Sequence, residues 1–330
     1  MRVLVLGAGG PAGINFTRAI YEMGHETVAV DVDPVAIQVA RGRFRELVEP
    51  DRPVEVLNDL IDRYDVGFVH AQPDPEVQYL SRHAHELNAP TMLPDRAALF
   101  VAQDKYRTAI VAGTDAPETR LVSEDQPIGE VIDELGGDCW LRLRSGAGSS
   151  GALPVSDAGI AQAWIDHHRD RFGIEPEEWV ISERLPGKDL SYTGVWRDGK
   201  LLAFGMKERL RLHGASRNPA RVASTANLQV TVDRLDVRNV VYRVVEALPG
   251  SANGVLMFDL REDRNGVPKL TEINAGRFGT TSYHFASTGV NLPAVLVEAA
   301  RGEPMSGPRV VPSDVAWYRE LDSGSQVVSL

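Results

Sequence analysis

The chain has 330 residues, 43% of them apolar, and a formal net charge of −11. That length exceeds one typical core and supplies two or three compact units. The acidic balance, with no long basic run, excludes a nucleic-acid footprint of clustered Lys and Arg. One cysteine, Cys139, excludes an intramolecular disulfide and a cysteine-rich metal site. No stretch approaches the roughly 18 to 20 apolar residues of a bilayer span, and "MRVLVLGAGG" shows no cleavage-site pattern. We therefore expect a cytoplasmic globular protein without nucleic-acid or membrane partners.

From residue 1 to about 100, strand-like runs ("RVLVLG", "TVAVDV", "VGFVHAQ") alternate with helical stretches at Ile14 to Met23, Val54 to Tyr64 and Pro75 to Leu87. This alternation predicts a parallel α/β unit. Past "NAPTMLP" the texture changes to helix, strand and hairpin, with turn signals at Gly136-Gly137, Asp198-Gly199 and Asn265-Gly266. A boundary near 100 follows. From about Met305 we expect a surface tail with one strand, "DVAWYREL".

The first glycine turn, "VLVLGAGGPAGINF", follows a strand and opens a helix; Gly7, Gly9 and Ala12 fit G-x-G-x-x-A, and Asp31 ends the next strand. Such a turn lets backbone approach an anion at a helix N-terminus. It serves a nicotinamide dinucleotide, a substrate carboxylate, or only strand-on-helix packing. The second loop lies in "WLRLRSGAGSSG". Arg142 and Arg144, two apart on a strand, share a face, and Ser145, Gly146, Gly148, Ser149 and Ser150 follow. Fixed charge and a small, flexible loop make a phosphate cradle. A solvated hairpin turn is the plain alternative.

Near the C-terminal end, a two-residue turn at Asn265-Gly266 would place Arg264 opposite Val267 and Asp259 directly opposite Glu272. Two opposed carboxylates repel unless a cation separates them. Asn274 lies on the same face as Glu272, and three oxygen donors with vacancies for phosphate suit Mg2+ (or Mn2+); two solvated and unrelated acids near strand ends are the plain alternative. Arg277 follows within "TEINAGR".

In this order, "DKYRT" (Asp104 to Thr108), "WLRLRSGAGSSG", "VISERLPGKDLS", "MFDL" and "TEINAGRFGTT" resemble the ATP-grasp superfamily, particularly a synthetase module of the carbamoyl-phosphate synthase large subunit. The resemblance implies a Rossmann-like parallel α/β domain before a two-lobed α+β ATP-grasp fold. It divides the chain into residues 1–100, 101–182 with the phosphate lid, and 183–330 with the metal site and tail.

It further implies ATP as nucleotide, with Lys105, Arg142, Arg144 and Lys207 near the phosphates, Glu183 to Leu185 at the adenine and Asp189 at the ribose. Asp259, Glu272 and Asn274 become metal ligands, and Arg277 with Arg142 steadies an acyl phosphate. "NAGR" carries one residue more than the family's Asn-x-Arg. The basic run "KERLRLHGASRNPAR" reads as a loop closing on triphosphate or substrate, with Arg209 and Arg211 as substrate contacts. Gly9, Gly10, Gln72 and Asp74 line the far side of the cleft. The implied activity is an ATP-dependent carboxylate-amine ligase acting on a small carboxylate and an amine, with a homodimer as an expected assembly. Phosphorylation of bicarbonate or carbamate, nicotinamide oxidoreduction and non-catalytic ATP sensing are the alternatives.

Overall fold

A computed structural model describes residues 1–319 except 147, 149, 150, 215–222 and 224. The chain opens with β1 (Arg2–Leu6), α1 (Pro11–Tyr21), β2 (Glu26–Asp31), α2 (Ala36–Val39), β3 (Phe44–Leu47), α3 (Val54–Tyr64), β4 (Val66–Ala71) and α4 (Asp74–His83). The four strands pair in parallel in the order β3-β2-β1-β4. Near-continuous apolar runs such as Val3 to Leu6 are buried on both faces, as a helix-covered parallel sheet requires. The sequence missed β3, whose "FREL" is too short and polar to register as a run. Helix α1 begins three residues before the expected Ile14, because Pro11 is favoured at the first helical turn.

Helices α5 (Arg96–Ala102) and α6 (Lys105–Ala112) lead to a small antiparallel sheet of β5 (Thr119–Leu121), β6 (Cys139–Leu143), β7 (Leu153–Val155) and β8 (Trp179–Glu183), ordered β5-β8-β6-β7. Helices α7 (Ile128–Glu134) and α8 (Ala158–Phe172) pack on it around Trp179, Ile165 and Leu141. Buried Cys139 belongs to this core, where burial pushes its thiol up to about 11.

The second, larger sheet holds β9 (Asp189–Arg197), β10 (Lys200–Leu212), β11 (Ala226–Val232), β12 (Gly254–Glu262) and β13 (Pro268–Ala275). Its order is β13-β12-β9-β10-β11. Helix α9 (Leu235–Ala247) covers one face, burying Val237, Val240, Val241 and Val244 against Tyr192, Phe204 and Phe258. α10 (Ser282–Ser287) and α11 (Leu292–Ala300) contact α1 and help join this sheet to the first. Asp198-Gly199 forms the expected two-residue hairpin, both residues having positive φ and Arg197 pairing with Lys200. The tail lies largely at the surface, and the strand expected in "DVAWYREL" is present at Ala316–Tyr318, joined by a second short strand and anchored by one buried residue. β14 (Arg309–Val310) pairs with β10, β15 (Ala316–Tyr318) closes the edge beside β11, and Val311 is buried. Among the described residues no helix is long and apolar enough to cross a membrane.

Candidate active site

The site grows from strand alternation. Residues facing α9 are apolar, so their neighbours face the other way: Asp189 and Ser191 on β9, Lys207 and Arg209 on β10, Asp259 and Arg261 on β12, and Glu272 and Asn274 on β13. Register draws them into rows. Glu272, Asp259, Ser191 and Lys207 lie side by side across four strands, and Arg261, Asp189, Arg209 and Gln229 form the row beside them. The small sheet supplies the opposite wall with Trp140, Arg142 and Ser182, and Lys105 arrives from α6. Together they enclose a cleft of about 770 Å³.

The Asp259–Glu272 pairing is present, but by another route than the expected turn. Asp263 and Val267 close a three-residue loop with Gly266 at φ 76°, and Glu262 pairs with Pro268. That loop alone would set Asp259 opposite Thr271. A bulge at Thr271 shifts the ladder by one and restores the pair. The bulged residue is used: its hydroxyl donates to Asp259 C=O at 3.0 Å, and its own C=O accepts Arg142 Nη2 at 2.9 Å.

Both Asp259 oxygens are engaged. Arg209 donates Nη2 to Oδ1 and places Nε 3.2 Å from Asp189 Oδ1, while Asn274 Nδ2 donates to Oδ2 at 3.1 Å. Burial alone would lower the Arg209 pKa, yet the Asp259 and Asp189 carboxylates hold it above its ordinary value. Asp189 is raised by burial, against the pull of Arg209. Glu272 is the more open acid, 25% exposed, with Lys105 Nζ 3.9 Å from Oε1. Lys105 also donates to Gly146 C=O at 2.7 Å, and burial lowers its pKa.

Lys105, Arg142, Ser145, Gly146, Gly148, Glu183, Leu185, Asp189, Lys207, Arg209, Asp259, Glu272, Asn274 and Arg277 all border this one cleft. Ser149 and Ser150, with Arg217 and Arg221 of the basic run, lie outside the described residues.

Arg144 does not join them. β6 ends at Leu143, so strand alternation no longer governs Arg144, and its guanidinium grips Asp104 at 2.7 and 2.9 Å at the N-cap of α6. The basic run is strand rather than loop through Leu212; Arg211 donates to Asn227 at 3.0 Å and stacks on Tyr318, away from the cleft.

Nor do Gly9, Gly10, Gln72 and Asp74 line it. Gly9 N-H donates to Asp31 at 2.9 Å, and a Cβ there would sit 2.2 Å from Ala36 C=O, so α2 closes over the turn. Gly10 caps α1 by accepting Ile14 N-H. Packing accounts for this turn and leaves a dinucleotide no room at Gly9.

Gln72 accepts Phe278 N-H at 3.2 Å, and Asp74 takes both Nε and Nη2 of Arg277. The additional residue of "NAGR" is Gly276, left-handed at φ 78° and packed so that a Cβ would meet Val77 at 2.7 Å. It turns Arg277 between Asp74 and Asn274, whose Oδ1 accepts Nη2.

Ser191, Gln229, Thr280 and Thr281 are cleft residues that the sequence reading did not find. Ser191 was accessible from its two-residue spacing to Asp189. Gln229, Thr280 and Thr281 carry no local signal, since only the packing of α10 and β11 brings them to the cleft.

The groups present suit a polyanion with a hard cation. Arg142 Nε is buried without a partner, and Lys207 donates to Thr281 but forms no ion pair among the described residues, so neither cation is matched by an acidic side chain. No three acidic, His or Cys side chains converge among the described residues. The oxygen set is thus two carboxylates and an amide, a sparse set of the kind Mg2+ completes with phosphate and water.

No protein-family model matches the chain, and no curated protein matches it in sequence. Solved structures do match it in fold. The N5-carboxyaminoimidazole synthetase from Staphylococcus aureus, complexed with ADP, superposes with a TM-score of 0.70 at 15% identity, over 93% of this chain and 79% of that one. The biotin carboxylase domain of Hydrogenobacter thermophilus 2-oxoglutarate carboxylase, in complex with MgADP, ADP and bicarbonate, gives 0.69 at 14% identity over 93% and 71%. An L-amino acid ligase from Bacillus licheniformis gives 0.67 at 12% identity over 92% and 75%. The architecture is therefore the ATP-grasp fold: a parallel four-stranded unit followed by two antiparallel sheets facing each other across a cleft.

Proposed function

We propose that the chain is an ATP-dependent carboxylate-amine ligase. The observation that carries this reading is the single cleft in which Lys105, Arg142 and Lys207 face Asp259, Glu272 and Asn274 across the two antiparallel sheets. Glu183 to Leu185 border the adenine end and Asp189 the ribose. Lys105, Arg142 and the loop at Gly146 hold the phosphates, and Asp259, Glu272 and Asn274 hold Mg2+. A metal held by these three residues would supply positive charge against the phosphates.

The chain's own share is position and charge. Arg277, fixed by Asp74 and Asn274, and Lys207 set the substrate carboxylate in line with the γ-phosphorus. A carboxylate oxygen bonds to phosphorus as the bond to the ADP oxygen breaks. The amine nitrogen then attacks the acyl carbon, inorganic phosphate leaves with the former carboxylate oxygen, and the nitrogen loses a proton. Arg142 and Lys105 cover the negative charge that develops. No protein nucleophile is required.

Likeness of the motifs to a carbamoyl-phosphate synthase module makes bicarbonate or carbamate the competing acceptor. Magnesium-dependent ADP release, assayed with pools of small carboxylic acids and with hydroxylamine as surrogate amine, tests the reading. Hydroxamate formed in step with ADP supports it; ADP release with bicarbonate alone favours the carbamate route, and no turnover with any pool counts against both.

A further inference from the structure

Two buried groups of opposite sense lie on the adjacent strands β10 and β11 at the wall of the cleft. Lys207, 4% exposed, donates to Thr281 Oγ1 at 2.8 Å and lies over the Phe285 ring, and makes no ion pair with a described residue. Gln229, 1% exposed, has a side-chain oxygen that is buried and without a donor.

The orientation of that amide follows from its neighbours. His284 Nε2 faces Val315 C=O at 3.2 Å. A carbonyl only accepts, so Nε2 carries the hydrogen and Nδ1 offers a lone pair. Gln229 Nε2 donates to that lone pair at 2.9 Å, which turns Oε1 the other way. The His284 ring is itself fixed, stacked 5.4 Å from Trp317 of β15. An acceptor held this firmly and left empty is costly to the fold unless something donates to it.

Both groups border the cleft. Lys207 pairs with Thr231 and Arg209 with Gln229, so Lys207 and Gln229 are diagonal neighbours on one face, with backbones roughly 7–8 Å apart. Arg209 cannot serve Gln229, because Asp189 and Asp259 hold it. A water could satisfy the amide oxygen but would leave Lys207 without counter-charge. The complement to a buried ammonium beside a buried acceptor is a ligand with a carboxylate and an N-H donor close together.

We propose that the carboxylate substrate is an α-amino acid with a free ammonium group, its carboxylate on Lys207 and its ammonium on Gln229 Oε1. Gln229 is then the residue that selects amino acids over plain carboxylic acids. The inference rests on the ligase reading above and adds the class of acyl donor.

The test compares ADP release, with MgATP and hydroxylamine, for the twenty protein amino acids and for analogues lacking the α-amino group, such as 3-phenylpropionate for phenylalanine and 4-methylpentanoate for leucine. At least one amino acid is expected to act, and its analogue to lose roughly 10- to 100-fold in kcat/KM. Gln229→Met should erase that difference without changing KM for ATP. Gln229→Glu, which keeps an acceptor oxygen, should retain it, and thermal midpoints verify that both variants fold. Equal use of amino acid and analogue by the native protein, or full discrimination by folded Gln229→Met, overturns the inference. Should neither class act, calorimetry with MgADP separates the cases: binding sinks this inference alone, whereas no binding removes the ligase reading too.

Discussion

The guanidinium of Arg209 rests on the carboxylate of Asp259 and reaches Asp189 on the neighbouring strand. A resident cation thus occupies the acids proposed for metal and ribose. If these acids are to hold metal and ribose, Arg209 must release them, and a phosphate in the cleft would offer it a new partner. Arg209→Gln is expected to lose about 3 kcal/mol of stability through unpaired acids. It should also bind Mn2+ without nucleotide, as read by electron paramagnetic resonance, where the native protein does not. Equal Mn2+ binding by both proteins would refute the exchange.

Burial, then the nearby charge of Arg209, lowers the Lys207 pKa to about 7, with Arg319 acting in the same direction and Asp259 opposing. His284 also faces this lysine and is itself lowered to about 4 by burial. The sign follows from the unfolded state, where lysine titrates near 10.4. Between about 7 and 10 the unfolded chain holds a proton that the fold does not, so Lys207 disfavours folding. That cost is complete below pH 7 and fades as the pH rises towards 10. Lys207→Met should therefore stabilise the protein at pH 7 by on the order of 3 kcal/mol, and the gain should shrink by pH 10. Denaturant titrations at both pH values test this; a pH-independent difference would contradict it.

Glu272 is the most open of the three proposed metal ligands, and it contacts Lys105 only at 3.9 Å. Glu272→Ala should abolish ADP release, by at least ~100-fold, with a thermal midpoint within a few degrees of the native one. Retained turnover would remove Glu272 from the metal site.

Gly276 is held left-handed against Val77, and this turn aims Arg277. Gly276→Ala adds strain and a steric clash, expected to cost roughly 1–3 kcal/mol. Turnover should fall further than stability explains, because Arg277 leaves its place between Asp74 and Asn274. A variant less stable yet fully active below its melting point would show that Arg277's aim is unimportant.

How far the sequence reached depended on how local each feature is. Alternation along β9, β12 and β13 was legible, because period-two patterning needs no knowledge of partners. The opposition of Asp259 and Glu272 was anticipated although the turn was not: a loop one residue longer and a bulge at Thr271 cancelled. Neither announces itself, since Asn-Gly suits both loop lengths. Arg144 failed because a strand ended one residue earlier than its alternation required. Gly9 failed because a glycine turn reads alike whether it faces an anion or, as here, the backbone at Ala36, while Gln72 and Asp74 are taken up by Phe278 and Arg277, 206 and 203 residues away in sequence. Gln229 and Thr281 became visible only when distant segments met, since 74 residues separate Lys207 from Thr281.

Oxygen transfer distinguishes acyl-phosphate formation from every other use of ATP. With the substrate carboxylate labelled with 18O and the reaction run with MgATP and an amine, phosphate is collected and its mass measured. Acyl-phosphate chemistry predicts one labelled oxygen in inorganic phosphate for each ADP formed. Unlabelled phosphate, or AMP and pyrophosphate in place of ADP, would contradict it.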